Sequence, residues 1–339
     1  MKVGMYYNNN DVRIEEMLLP SISKNEILLK TDSCGICGTD VLEWYRIKSA
    51  PKVLGHEVTG TIAEVGEDVN GYKVGERVFV AHHVPCNECK YCLNKHQTAC
   101  ETLHKTNFYP GGFAEYIRVP EINVRFGVYK LPENLSFEQG VFIEPLGCIL
   151  RGQRLANIRK SETLLVVGAG ISGLLHIKYA RYLNAKKIIA VDINEHRLKF
   201  ASEFGADVVI NAKDDVLSVI KKANNNNLAD IIIICTGSIS AVNLALKSVD
   251  KGGIILFFAT PEPTIPVTIP INDYWRNEIK IMTSYGASPE DMKNALELIA
   301  SRKIKVDDMI THILPLQEIG TGFKLVASAK ESVKVIVKM

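Results

Sequence analysis

The hydrophobic rhythm of the chain changes near residue 160. From Thr163 onward, short unbroken apolar runs alternate with segments whose apolar positions recur every three or four residues. TLLVV at 163–167, KKIIAVD, ADVVI, ADIIIICTG, GGIILFFA and EIKIMTS read as strands. VLSVIKKA, AVNLALKSV and the stretch carrying Leu174, Ile177, Ala180 and Leu183 read as amphipathic helices. This alternation predicts an α/β fold with a doubly wound parallel sheet. Before residue 149 the apolar runs are shorter and broken by frequent glycine, which predicts a β-rich domain. After residue 285 come a helical pattern, PEDMKNALELIASRK, and two more strand-like runs, ITHILPL and SVKVIVKM. NNNN at 224–227 reads as a surface turn and TPEPTIPVTIP as an extended, proline-stiffened loop. No internal repeat is visible.

Length agrees with two domains, since 339 residues exceed the roughly 250–300 at which single cores stop growing. The net charge of +2 is nearly balanced, and the basic residues are spread along the chain, so nothing points to a nucleic-acid partner. The longest apolar runs fall far short of the roughly 20 residues that a membrane helix needs. The N-terminal stretch also lacks a long apolar core, so the chain reads as cytoplasmic, unprocessed and without a membrane partner.

In that compartment thiols stay reduced, and this changes the reading of PCNECKYCLNKHQTAC at 85–100. Cys86, Cys89 and Cys92 are two residues apart and Cys100 follows after seven more, within polar, loop-forming sequence. Four thiolates so placed suit a closed tetrahedral zinc site with a structural role. An iron–sulfur cluster and scattered free thiols are the alternatives, and His96 and His104 are close enough in sequence to compete as ligands. Upstream, DSCGICGTD supplies Cys37, and VLGHEVTG supplies His56 and Glu57. One thiolate, one imidazole and one carboxylate also suit zinc. These ligands converge only through tertiary folding, and a three-ligand site with an open position is the catalytic arrangement.

A third signal follows the first predicted strand of the alternating half. Gly168, Gly170 and Gly173, with Ile171 and Ser172 between the last two, form a GxGxxG turn that leads into a helix. The first glycine permits the tight turn, the second admits a pyrophosphate to the backbone, and the third lets helix and strand pack closely. The next strand ends in Asp192, where a carboxylate can accept hydrogen bonds from ribose hydroxyls and repel a 2′-phosphate, so NAD is the expected cofactor. Arg197 could neutralise a phosphate, but its helical spacing places it over the adenine or in water. Thr236 and Gly237, at the end of a later strand, are expected to border the same cofactor.

The order GICGTD, GHEVTG, VGERV, the four-cysteine lobe and GGFAEYIRVP resembles the zinc-dependent medium-chain dehydrogenase/reductase family across nearly the whole chain. GVFIEPLGC resembles the sorbitol (polyol) and threonine dehydrogenase branch, in which a glutamate, here Glu144, approaches the metal directly or through water. Cys148 then reads as a packed core thiol. The resemblance implies a GroES-like, zinc-binding catalytic domain at 1–148 and 286–339 and a Rossmann domain at 149–285, with substrate, zinc and nicotinamide meeting between them. It also implies two zinc ions per chain and a homo-oligomer, tetramer or dimer. The expected reaction oxidises a small secondary alcohol, a polyol or sugar alcohol, to a ketone by hydride transfer. Cys37, His56, Glu57 and Glu144 serve the catalytic zinc in this reading, and Thr39 is the candidate hydroxyl for carrying the alcohol proton outward. Trp44, Tyr45 and Arg46 are candidates to shape the pocket. Many members of the branch carry a histidine where this chain has Leu42, which makes threonine a poorer substrate candidate. A dehydrogenase of threonine, a sugar phosphate or an aminocyclitol, and a silent NAD-binding protein, are the competing readings.

Overall fold

The glycine-punctuated runs of the N-terminal half form short strands, and their register places the chemistry. They are β1 (Lys2–Asn8), β2 (Asp11–Glu16), β3 (Ile27–Gly35), β4 (Lys52–Val53), β5 (Glu57–Val65), β6 (Arg77–Ala81), β7 (Tyr116–Val119) and β8 (Val128–Lys130). The alternating half supplies β9 (Thr163–Val167), β10 (Lys187–Asp192), β11 (Val208–Asn211), β12 (Ala229–Ile234), β13 (Val249–Phe257) and β14 (Lys280–Thr283). The C-terminal segment adds β15 (Ile310–Pro315) and β16 (Lys334–Lys338). This structure, a computed structural model, describes residues 1–160 and 162–339. The chain divides into two units, Met1–Gly147 together with Gly286–Met339, and Cys148–Tyr285.

In the first unit, β1 lies between β2 and β4 in a small sheet, and a larger sheet runs in the order β15-β16-β3-β5-β6-β8, with β7 also paired to β3. The C-terminal strand thus belongs to the N-terminal sheet. β16 lies antiparallel to β3 through Ile336↔Gly35, and β5 pairs with the other edge of β3 through Glu57↔Gly35. On the far side of β5, Glu57 is also paired with Ala81 of β6. The start of β5, the end of β3, the end of β6 and the start of β16 therefore meet at one end of the sheet. Beneath them lies an apolar core that includes Val3, Leu29, Val58, Phe113, Phe323 and Val335, each fully buried. Burying a side chain of this size contributes about 1.5–3 kcal/mol.

The second unit is a parallel sheet in the order β11-β10-β9-β12-β13-β14. All five residues of β9 are buried, and so are five of the six in β12. Helices on both faces of a parallel sheet leave no polar side, so these strands read as continuous apolar runs instead of alternating ones. Strand order reverses between β9 and β12, and the turns after these two strands carry the glycine motif and the Thr236-Gly237 turn. Crevices at such reversals are where open α/β sheets bind ligands.

Two sequence expectations need correction. Asn224 is not a surface residue: it is buried, accepts a hydrogen bond from the Thr163 hydroxyl at 2.8 Å and donates one to the Leu228 carbonyl at 2.6 Å. Asn225 and Asn226 make the turn, with φ of 53° and 66°, a region that asparagine tolerates. Cys148, expected in the core, is only half-buried.

Candidate metal centre

The four cysteines at 86–100 converge. Their sulfur atoms all lie within 4.8 Å of one another. Cys86 Sγ is 3.9 Å from Cys92 Sγ and 3.6 Å from Cys100 Sγ, and Cys89 Sγ is 3.5 Å from Cys92 Sγ. A tetrahedron with zinc–sulfur bonds of about 2.3 Å has edges of about 3.8 Å, so the thiol cage fits zinc. Asn87 adopts a φ of 63°, and the backbone N–H of Cys89 points at Cys86 Sγ from 3.4 Å. Backbone N–H groups hold the Cys86 thiol below its ordinary pKa. Burial pushes Cys100 up, yet hydrogen bonds from the backbone outweigh it and bring the thiol down to about 6. Thiolate formation is thus favoured at these two positions, whereas burial and the neighbouring thiols push Cys92 up to about 12. His96 and His104 are not members of the cluster.

Cys37, His56 and Glu57 form a second cluster, again with ligand atoms within 4.8 Å of one another. Cys37 caps the short 3-10 helix Gly38–Val41: its sulfur lies 3.5 Å from the Thr39 N–H, and its own N–H donates to Asp40 Oδ2 at 3.1 Å. Asp40 is fully buried. Its Oδ1 lies 3.4 Å from His56 Nδ1 and 3.3 Å from an Arg46 nitrogen, which leaves Nε2 of His56 as the nitrogen available to a cation. Burial alone lowers the His56 pKa, but the Asp40 carboxylate and the Cys37 thiolate raise it well above the ordinary value. The donor set is negative and suits a divalent cation.

Glu57 has a partner that the sequence did not reveal. Lys334 at the start of β16 donates a hydrogen bond to Glu57 Oε2, and both side chains are buried. The pair crosses over Gly35, the last residue of the strand between them. A Cβ at that position would lie 1.9 Å from Glu57 Oε2 and 2.7 Å from Lys334 Cε, so only glycine leaves room for the pair. Burial lowers the Lys334 pKa, but Glu57 and Cys37 more than compensate and hold it above its usual value. Glu144, at the start of the helix Ile143–Leu155, is buried and contributes to the field at Lys334, yet it is not one of the three converging ligands.

Around this cluster lie further side chains. Arg46 donates through Nε to the Thr39 carbonyl at 2.9 Å and through Nη2 to the Thr39 hydroxyl at 3.3 Å, which fixes an otherwise exposed threonine. Leu42 and Tyr45 are exposed. His82 follows β6, so the Glu57↔Ala81 register sets it beside His56, with ring centroids 4.8 Å apart. The His83 ring lies against that of His82, with centroids 3.9 Å apart and planes tilted by 38°, and places its Nδ1 2.9 Å from the Thr106 carbonyl. Burial, with help from the charge on His56, pushes the His82 pKa well below its usual value and that of His83 to about 4.

In the second unit the glycine motif has the geometry its spacing suggests. Gly168 has a φ of 96°, and a Cβ on Gly173 would sit 1.9 Å from the Gly168 carbonyl oxygen. Ile171 and Ser172 open the helix Ile171–Tyr182, whose N-terminal N–H groups suit an anion. Asp192 is buried, and its oxygens accept from the N–H groups of Ala169 at 2.7 Å and Asn194 at 2.9 Å, which fixes the carboxylate against the glycine turn. Arg197 is half-buried with its guanidinium 3.9 Å from a Cβ built on Gly170, so it lies over the turn instead of facing water. Thr236 packs against Gly168, and Gly237 approaches the Thr260 carbonyl too closely for a side chain.

Asp40, Lys334 and His82 escaped the sequence reading. The spacing of Cys37 and Asp40 is that of a capping box and was a usable signal. Nothing local marks Lys334, whose partner lies 277 residues away in sequence.

Comparison with known proteins agrees with these features. A family model described as alcohol dehydrogenase GroES-like domain matches residues 23–133, and one described as zinc-binding dehydrogenase matches residues 172–301. A probable D-xylulose reductase A from Aspergillus clavatus is 34% identical over 335 residues, covering 95% of this chain and 92% of the relative. An L-threonine 3-dehydrogenase from Bacillus subtilis is 32% identical over 329 residues, covering 94% and 92%. Among solved structures, galactitol-1-phosphate dehydrogenase from Escherichia coli superposes with a TM-score of 0.88 at 27% identity, covering 100% of both chains.

Removing one member of a buried ion pair leaves the other charge unpaired, at a cost of about 3–5 kcal/mol. Lys334→Met is accordingly expected to lower the thermal unfolding midpoint sharply, and adding Glu57→Gln to recover part of the loss. Because the folded-state pKa of Lys334 is raised, the pair's contribution is present at neutral pH and is lost only as pH climbs through that raised value. Equal midpoints for Lys334→Met and the unmodified protein would remove the pair from this role.

Proposed function

We propose that this chain, which belongs to the zinc-dependent medium-chain dehydrogenase/reductase family, oxidises a secondary alcohol of a polyol or sugar alcohol to the ketone with NAD. The observation that carries the reading is the convergence of Cys37, His56 and Glu57 in a chain that also carries the glycine turn and Asp192. In this reading Cys37, His56 and Glu57 hold one zinc ion, which Glu144 approaches directly or through water, and Cys86, Cys89, Cys92 and Cys100 hold a second. A zinc ion in the first site supplies positive charge that acidifies an alcohol, and the nicotinamide supplies the hydride acceptor.

The chain's own residues do the rest. Asp40 holds the His56 ring through Nδ1 and fixes its tautomer, and the Lys334 ammonium holds the Glu57 carboxylate. Thr39, whose hydroxyl accepts from Arg46, receives the alcohol proton at Oγ1 and passes its own to solvent, to which it is exposed. With leucine at position 42, no side chain there extends the relay. Gly168, Gly170, Ile171, Ser172 and Gly173 cradle the pyrophosphate. Asp192 meets the adenosine ribose, and Arg197, Thr236 and Gly237 border the cofactor. The fixed Asp192 carboxylate supports NAD over NADP, because a 2′-phosphate there meets a negative charge.

The same reading includes a cytoplasmic homo-oligomer, tetramer or dimer. No helix among the described residues is long and apolar enough to cross a membrane. β14 is an edge strand, and Trp275, just before it, is 77% exposed, which supports association between copies.

A substrate panel of polyols and simple secondary alcohols, followed by NAD reduction, tests the activity. Cys37→Ser is expected to abolish turnover while NAD still binds, read by quenching of protein fluorescence; full activity in that variant would sink the mechanism. Asp192→Ser is expected to lower the NAD-over-NADP ratio of kcat/KM by roughly ten-fold or more. A ratio that does not move would detach Asp192 from cofactor choice.

A further inference from the structure

One guanidinium ties together two groups that the proposed reaction uses for different purposes. Arg46 ends the short helix Glu43–Arg46 and turns back on Thr39 and Asp40. Its Nε donates to the Thr39 carbonyl at 2.9 Å, and its Nη2 donates both to the Thr39 hydroxyl and to Asp40 Oδ1, each at 3.3 Å. A carbonyl, a hydroxyl and a carboxylate from two successive residues thus face one planar fork. The compact ammonium of a lysine cannot reproduce that set. The Arg46 side chain is 17% exposed and that of Asp40 1%, so the charged contact is largely shielded from water.

From Arg46 the contacts lead in two directions. Asp40 Oδ1 also lies 3.4 Å from His56 Nδ1, and Asp40 Oδ2 accepts from the Cys37 N–H at 3.1 Å. Arg46 is therefore one residue removed from two of the three converging ligands. In the other direction, a guanidinium has no acceptor, so Thr39 Oγ1 meets it with a lone pair and must turn its own hydrogen elsewhere. Closing the turn between residues 39 and 46 needs only the carbonyl contact. The two Nη2 contacts go further, to the group that orients His56 and to the hydroxyl that handles the alcohol proton. The segment has an independent anchor as well: Asn9 donates through Nδ2 to the Val41 carbonyl at 2.9 Å and accepts from the hydroxyl of the fully buried Tyr6 at 3.1 Å.

We propose that Arg46 is a positioning residue that couples the metal cluster to Thr39, clamping Asp40 against His56 while fixing the direction of the Thr39 hydroxyl. The clamp acts on metal affinity through Asp40, because a ligand ring held by an immobile carboxylate does not have to be ordered when the cation arrives. It acts on proton transfer through Thr39, whose hydrogen is kept off Arg46 and whose second lone pair is left for the alcohol proton. Since both effects pass through one nitrogen, loss of the guanidinium is expected to disturb both at once.

The inference rests on the reading of this cluster as a zinc site that oxidises an alcohol, and the two readouts separate them. The first needs no turnover. Zinc affinity is measured by competition with a chromophoric chelator, with His56→Ala supplying the signal of the cysteine lobe alone. Arg46→Gln is expected to weaken the other site by about ten-fold or more, the usual consequence of losing a partner that orients a ligand, and Arg46→Lys to recover part of that loss. The second readout is kcat with saturating zinc. Arg46→Gln is expected to lower it about ten-fold in the unmodified background and to have little further effect in Thr39→Val, where the hydroxyl is already gone. The zinc effect is expected to persist in Thr39→Val. An arginine that merely supports the fold would lower kcat equally in both backgrounds. Unchanged zinc affinity in Arg46→Gln, or the same proportional loss of kcat with and without the Thr39 hydroxyl, would overturn the proposal. Weakened zinc binding in Arg46→Gln, in a protein that oxidises no alcohol of the panel, would support the clamp on His56 and refute the oxidation reading instead.

Discussion

The ion pair between Lys334 and Glu57 is the constraint around which the first unit is arranged. Both charges are out of water, with side-chain exposures of 0% and 1%, so each is tolerable only because the other is there. The two residues sit on strands that flank β3 on opposite sides, and the pair joins them over Gly35. The C-terminal strand cannot be displaced without stranding a carboxylate beside Cys37 and His56. The fold of the first unit and the shape of the candidate metal centre are therefore one problem, solved by a contact between residues 277 positions apart in sequence.

A second layer of order comes from strand register. Pairing Glu57 with Gly35 on one side and Ala81 on the other brings the residues just beyond these positions, Cys37, His56 and His82, to the same end of the sheet. Asp40 then fixes the cluster electrostatically, because it faces His56 and Arg46 at once and is bonded to the backbone of Cys37. Each side chain is held by a group that is itself held, as a site that orients a metal and its substrate requires. The cysteine lobe differs. Its four sulfurs lie within one short stretch of chain and need only local turns, such as the left-handed conformation at Asn87.

That difference explains what could be read from the sequence. The alternating half was legible because apolar runs such as 163–167 and 229–234 are long, uninterrupted and separated by helical periodicity, and the glycine turn is a local signal with a local cause. The cysteine lobe was legible for the same reason. Cys37, His56 and Glu57 could be named from residue type, but their convergence depends on register, which residue spacing does not encode. Lys334 was invisible, since a lysine in SVKVIVKM reads as an exposed residue of an edge strand until β16 is placed against β3. Asn224 misled in the same way: a run of four asparagines suggests solvent, and the first of them is fixed in the interior by Thr163 and Leu228.

The central proposal is a pair of metal sites of different character, one with an open position set by tertiary register and a closed one set by local turns. Elemental analysis of the purified, metal-replete protein tests it directly, together with His56→Ala and Cys100→Ser. Two zinc ions per chain are expected, falling to one in either variant, with a large loss of thermal stability in Cys100→Ser because a closed site contributes folding free energy outright. A single zinc ion per chain in the unmodified protein, or a count that His56→Ala leaves unchanged, would contradict the account.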